Sequence, residues 1–157
     1  LGKSVTGLNF FSLHTMSPIT TAVLHEVDVQ DYMKCSKIII HAPEDKKANA
    51  NFTVYFKNEN TPPLQVTYRQ EEVGCSHIKD IYDNAKFQVY FVNTIDKAVC
   101  IYRCPIAPTK GVATAGALVS VANQNTPDVV AQVQSCKESL AAVGFTGHLV
   151  DVEKCSA

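Results

Sequence analysis

The residues best suited to chemistry in this 157-residue chain are six cysteines: Cys35, Cys75, Cys100, Cys104, Cys136 and Cys155. No pair has the two-residue CxxC gap, and no histidine follows a pair at zinc-finger distance, so a zinc site is disfavoured. An even count spread from the first third of the chain to its end reads instead as a disulfide framework. Cys100 and Cys104 are an even number of residues apart, so on one strand both point to the same face. Asn51-Phe52-Thr53 is an N-glycosylation sequon, whereas Asn60-Thr61-Pro62 and Asn125-Thr126-Pro127 do not qualify. The chain starts at Leu1 without an initiator methionine or a signal-like apolar segment, as expected of a processed protein. These features predict a secreted, extracellular protein with a glycan at Asn51.

Catalytic signatures are missing. The sequence holds no G-x-S-x-G, no H-E-x-x-H and no P-loop, so no catalytic residue is assigned and no enzyme is expected. His14, His41, His77 and His148 show no ligand spacing, and neither a metal nor a required cofactor is expected. Lys+Arg 14 against Asp+Glu 15 leaves no basic excess for nucleic acid or an anionic membrane. No apolar run approaches the ~18–20 residues of a membrane helix.

The elements that must position the cysteines are mostly strands. Val23, His25, Val27 and Val29 alternate with Leu24, Glu26 and Asp28, and Ile38-Ile39-Ile40 is a short β-branched run. Phe52, Val54 and Phe56 share a face, as do Leu64, Val66 and Tyr68 after the Pro62-Pro63 break. Phe87, Val89 and Phe91 form another such face, and Val99, Ile101 and Arg103 lie opposite Cys100 and Cys104. The last run spans Ala113 to Val121, and a weaker segment near Gly74–Lys79 completes eight strands. Turn signals at Pro43-Glu44-Asp45, Asn58-Glu59-Asn60, Tyr82-Asp83-Asn84 and Asn93-Thr94-Ile95-Asp96 come at short intervals. That spacing argues an antiparallel meander, a sandwich or a barrel rather than βαβ units.

The periodicity then changes. Thr126 is suited to an N-cap, Pro127 to the first helical position and Asp128 to the dipole. Val129, Val130, Val133, Cys136, Leu140 and Val143 recur at helical spacing up to Gly144, predicting one helix of four to five turns. His148-Leu149-Val150-Asp151-Val152 reads as a short closing strand, and residues 1–157 contain no repeat or linker, which predicts one domain.

Eight strands, one late helix and a final strand resemble the lipocalin plan. The likeness is most specific in FQVYFVNTIDKAVCIYRC (Phe87 to Cys104), which is similar to the family's F–G hairpin. Cys100-Ile101-Tyr102-Arg103-Cys104 resembles the paired-cysteine form of arthropod lipocalins such as the crustacyanins. Residues 1–34 match less well: the chain has no Trp for the family's G-x-W motif, and Val119 to Asn125 lacks the Arg that stacks on it. The family's N-terminal cysteine is also missing. The resemblance therefore identifies a divergent secreted lipocalin of arthropod type: an eight-stranded antiparallel up-and-down β-barrel with a C-terminal α-helix and short final strand. A β-sandwich with a docked helix stays open beside it.

The resemblance implies the disulfides Cys35–Cys155 and Cys100–Cys136, and leaves Cys104, whose usual partner is absent, with Cys75. A barrel of eight strands either packs solid or holds one small ligand. A glycan at Asn51 must face solvent, which turns Phe52 inward together with Val54 and Phe56. The expected interior comprises Val23, His25 and Val27 from the first strand, and Ile38 and Ile40 from the second. Val66, Tyr68, Phe87, Val89, Phe91, Ile101 and Arg103 complete it. Arg103 either meets an anionic head group or sits at the rim in water; His25 is either a ligand contact or a hydrogen-bonded core histidine. Small residues from Ala113 to Ala117 leave room inside. The function implied is a carrier of a small hydrophobic molecule, a bound lipid or pigment: fatty acid, retinoid, bilin, carotenoid or amine. The alternative is a protein-interaction or inhibitor role with a filled calyx, loops that meet a host-protein target, or a homo-oligomer.

Overall fold

The computed structural model describes residues 10–74 and 76–156, so Cys75 lies outside the described residues. A short helix α1 (Phe10–Met16) precedes eight strands: β1 (Ile19–His25), β2 (Met33–Ile40), β3 (Lys47–Phe56), β4 (Leu64–Gly74), β5 (His77–Tyr82), β6 (Ala85–Ile95), β7 (Ala98–Pro105) and β8 (Thr114–Ser120). Helix α2 (Pro127–Ala142) and strand β9 (Leu149–Asp151) follow. Each strand from β2 to β7 pairs antiparallel with the next, β8 pairs with β1, and β1 pairs back to β2. The sheet is therefore a closed barrel, and β9 is added outside it on β1. Closure excludes the open sandwich.

β1 carries the main departure from the sequence reading. Simple alternation predicts Val23, His25 and Val27 facing inward, but the register slips between Thr21 and Val23. Such a bulge inserts one residue and reverses the side-chain phase beyond it. Ile19 joins the inner core, whereas Val23, fully buried, packs outside with the α2 cluster. His25 follows the same outward phase, its ring edge-on to Phe145 with centroids 5.0 Å apart. Val27 falls beyond the strand, in the one-turn 3₁₀ helix Glu26–Asp28, and is 57% exposed.

The bulge also brings β8 unusually close to β1. A Cβ on Gly116 would stand 2.5 Å from the Val23 carbonyl oxygen, inside any ordinary contact, so only glycine fits there. Within the Ala113–Ala117 stretch, Ala115 and Ala117 are buried in the α2-side cluster. Their small size admits the helix as much as it leaves space within.

One end of the barrel is closed by α1, which no sequence signal announced. Leu13 and Met16, each 2% exposed, join Ile38, Ile40, Ala48, Ala50 and Ile78 in the inner core. His14 Nδ1 donates to the Ile40 carbonyl at 2.8 Å, and the Ile40 N–H donates to Ser17 Oγ at 2.9 Å. Backbone groups at the end of β2, past its pairing with β1, are satisfied by this helix.

α2 lies against the outer wall with Val129, Cys136 and Leu140 fully buried, the 3.6-residue stripe expected. Thr126 occupies the N-cap position, but its hydroxyl donates to the Asn123 carbonyl and to Asp128 rather than receiving a helix N–H. Asp128 takes that role by accepting from the Val129 N–H at 3.0 Å. Gly144, at φ 96°, terminates the helix in the left-handed region. Two disulfides hold these additions: Cys100–Cys136 ties β7 to α2, and Cys35–Cys155 ties β2 to the C-terminal segment. Cys104 bonds to no described cysteine, and its expected partner Cys75 lies outside the described residues.

Gly116→Ala must push β8 off β1 at the bulge. We expect it to cost about 1–3 kcal/mol in urea unfolding, the range for an overpacked contact. An unchanged midpoint would mean that the two strands separate freely.

Candidate functional site

A cavity of about 340 Å³ occupies the barrel interior. Its floor is apolar, built from α1 by Leu13 and from the adjoining strands by Ile19, Ile40, Ala50 and Phe91. Alternation along β2 and β3 places Ile38, Phe52 and Val54 on the wall; across it stand Tyr68, Val89 and Ile101. Asn51 is exposed on the outer face of β3, with Phe52 inward as the sequon phase requires.

Six expected interior residues do not line this space. Phe56 lies at the rim: the register slips between Met33 and Cys35 on the partner strand, and the ring packs on Tyr32 with centroids 5.8 Å apart. It lines a surface cleft beside the Cys35–Cys155 bridge instead. Val66, paired with Phe52, is half-buried without lining the cavity. Phe87 is also outside the lining, its ring turned to the Arg103 guanidinium 3.7 Å from the centroid. Val23, His25 and Val27 are likewise absent from it, and the reversed phase substitutes Thr21 and Leu24.

The polar part of the cavity is concentrated on β4, β5 and β7. Arg103 Nε stands 3.7 Å from Asp80 Oδ2, with the side chains 27% and 13% exposed. Gln70 Nε2 donates to Asp80 Oδ1 at 2.8 Å. The register explains the cluster: Gln70 is paired with Asp80, and Asp80 with Phe87, while Val89 is paired with Arg103. Burial pushes the Asp80 carboxyl above its ordinary pKa, opposed by the nearby Arg103 charge and by the Gln70 hydrogen bond. Arg103 thus stands on the expected inner face, with a counter-charge supplied by the chain itself. The Ile78/Asp80 alternation carries that signal, but the sequence pattern predicts this weak strand only as far as Lys79, and it runs to Tyr82.

The wall is thinnest between β1 and β2. Their pairing consists of Ile19↔Ile38 and Thr20↔Lys37. Beyond it a cleft of about 470 Å³ opens on the outside, and Thr21, Leu24, Met33 and Ser36 line both cleft and cavity. Side chains replace the missing ladder: Thr20 Oγ1 donates to the Ser36 carbonyl at 2.8 Å and accepts from the Cys155 N–H at 2.9 Å. The Thr21 and Ser36 hydroxyls are 2.9 Å apart. Among the described residues no group of three His, Cys, Asp or Glu side chains converges as metal ligands would.

A carboxyl whose folded pKa is raised favours the folded state most when protonated. Its contribution is fully present below the unfolded value of about 4 and is lost as pH rises through the folded value. The stability of the native chain relative to Asp80→Asn should therefore be highest at the acid end and decline towards neutrality. Urea midpoints of both proteins across that range check this; a constant difference would show that Asp80 feels no net burial.

No family model matches the sequence, and no curated protein matches it. Among solved structures, the cockroach major allergen Per a 4 superposes with TM-score 0.71 at 13% identity, covering 98% of this chain and 92% of that one. A biogenic amine-binding protein gives TM-score 0.69 at 16% identity over 93% of this chain and 81% of that one. Lobster apocrustacyanin A1 gives 0.65 at 14% identity, with 99% and 90% covered. Likeness at such low identity establishes the fold, and the fold is that of the lipocalins.

Proposed function

We propose that this chain is a secreted carrier of arthropod lipocalin type that holds one small hydrophobic molecule inside its barrel. The observation that carries this reading is the cavity itself: apolar walls, a helix across one end and a few convergent polar groups are what small-molecule sites are built from. At about 340 Å³ it lies near the lower bound of such sites, which suits a compact lipid or pigment. Ile38, Ile40, Phe52, Val54, Val89, Phe91 and Ile101 contact the apolar body of the guest, with Tyr68 and Arg103 towards its polar end. The alternative, recognition of a host protein through loops around a filled calyx, expects a solid interior, and the open cavity speaks for the carrier.

The two disulfides agree with an extracellular setting. A glycan at Asn51 would project from the outer face without touching the cavity.

Native mass spectrometry after exposure to a lipid and pigment extract tests the carrier directly. One guest per chain is expected, and Leu118→Trp, which fills part of the space beside Ile101, should lower retention at least about tenfold with unchanged circular dichroism. Equal retention by the variant would place the guest elsewhere, and no uptake by the native chain would overturn the proposal.

A further inference from the structure

Resting on the carrier reading, we infer that the cavity selects guests whose polar end is uncharged, a hydroxyl or a carbonyl, over carboxylates and amines of the same apolar body. Among the described residues, the charged side chains lining the cavity are Asp28, Asp80 and Arg103. Asp28 is exposed at the rim, on the 3₁₀ turn after β1, where water screens it. The interior therefore presents one cation and one anion, Arg103 and Asp80, 3.7 Å apart and mutually neutralising.

A carboxylate head would reach Arg103 only beside Asp80, and both anions would then share one guanidinium in a poorly hydrated wall. An ammonium head would meet the mirror situation, since Asp80 already faces Arg103 and accepts from Gln70 Nε2. Phe87 and Tyr68 also fix the guanidinium, 3.7 and 5.6 Å from the ring centroids, so it cannot swing to a charged guest without leaving an aromatic face. An uncharged head avoids either conflict. A hydroxyl can donate to Asp80 and accept from Arg103, and a carbonyl can accept from Arg103, while the ion pair stays whole.

Three probes with one twelve-carbon chain separate these cases: dodecanol, dodecanoate and dodecylammonium, each competing with a fluorescent apolar dye at neutral pH. Dodecanol should bind at least about tenfold tighter than either ion. Asp80→Asn strips Arg103 of its counter-charge and should move dodecanoate to first place, whereas Arg103→Gln should favour dodecylammonium. The double variant Asp80→Asn/Arg103→Gln, neutral again, should restore dodecanol, so the inference remains testable if one single variant does not fold. Dodecanoate or dodecylammonium ranking first on the native chain, or a ranking unmoved by the variants, overturns the head-group inference and leaves the carrier intact. Failure of the native chain to bind the dye and all three probes overturns the carrier reading itself.

Discussion

Everything in this barrel depends on how few main-chain pairs close it. β1 meets β2 through Ile19↔Ile38 and Thr20↔Lys37, then bulges and turns its edge to β9. A closed sheet removes both of its edges, and here that closure rests on one end of one strand. The buried hydroxyls of Thr20, Thr21 and Ser36 stitch the remaining seam, and Cys35–Cys155 clamps it with a bridge that spans 120 residues of chain. The bond from the Cys155 N–H to Thr20 Oγ1 joins the stitching to the clamp. A disulfide closing so long a loop restrains the unfolded chain strongly, typically by about 2–4 kcal/mol.

The same bulge decides what the cavity is made of. By reversing phase it delivers Val23 to the helix side, where Cys100, Cys136 and Leu140 are fully buried, and gives Thr21 and Leu24 to the interior. Opposite, the regular stretches of β4 through β7 around Gln70↔Asp80, Asp80↔Phe87 and Val89↔Arg103 bring Gln70, Asp80 and Arg103 together. The charged pair in this wall has a further contact on each side, Gln70 for the carboxylate and Phe87 for the guanidinium, while Arg103 Nε itself has no hydrogen-bond partner among the described residues.

How much of this was legible varies with how regular the strand is. Where β3, β6 and β7 alternate regularly, Phe52, Val54, Val89, Phe91, Ile101 and Arg103 stand on the predicted side, and β6 breaks register only beyond Phe91. Helix α2 was readable from its stripe and its Pro127 and Gly144 ends. β1 was not, because a bulge leaves no mark in hydropathy and shifts every residue after it. α1 was missed because seven residues give too few turns for a periodic signal, and its apolar residues find their place only through tertiary contact with the barrel floor. Asp80 was missed for a different reason: a lone acidic residue in a weak strand reads as surface until the strand on either side supplies Gln70 and Arg103.

β9 has a consequence of its own. Leu149–Asp151 is three residues long and pairs with Val23–His25, the stretch of β1 that the bulge has freed from β2. Left bare, that stretch would offer unpaired backbone groups to any passing strand. The strand covering it is itself too short to template another and ends on the exposed carboxylate Asp151. β9 thus blunts a polymerisation site that the chain's own bulge creates, a protection that operates on the outer edge of β1 and leaves the cavity side of the strand untouched.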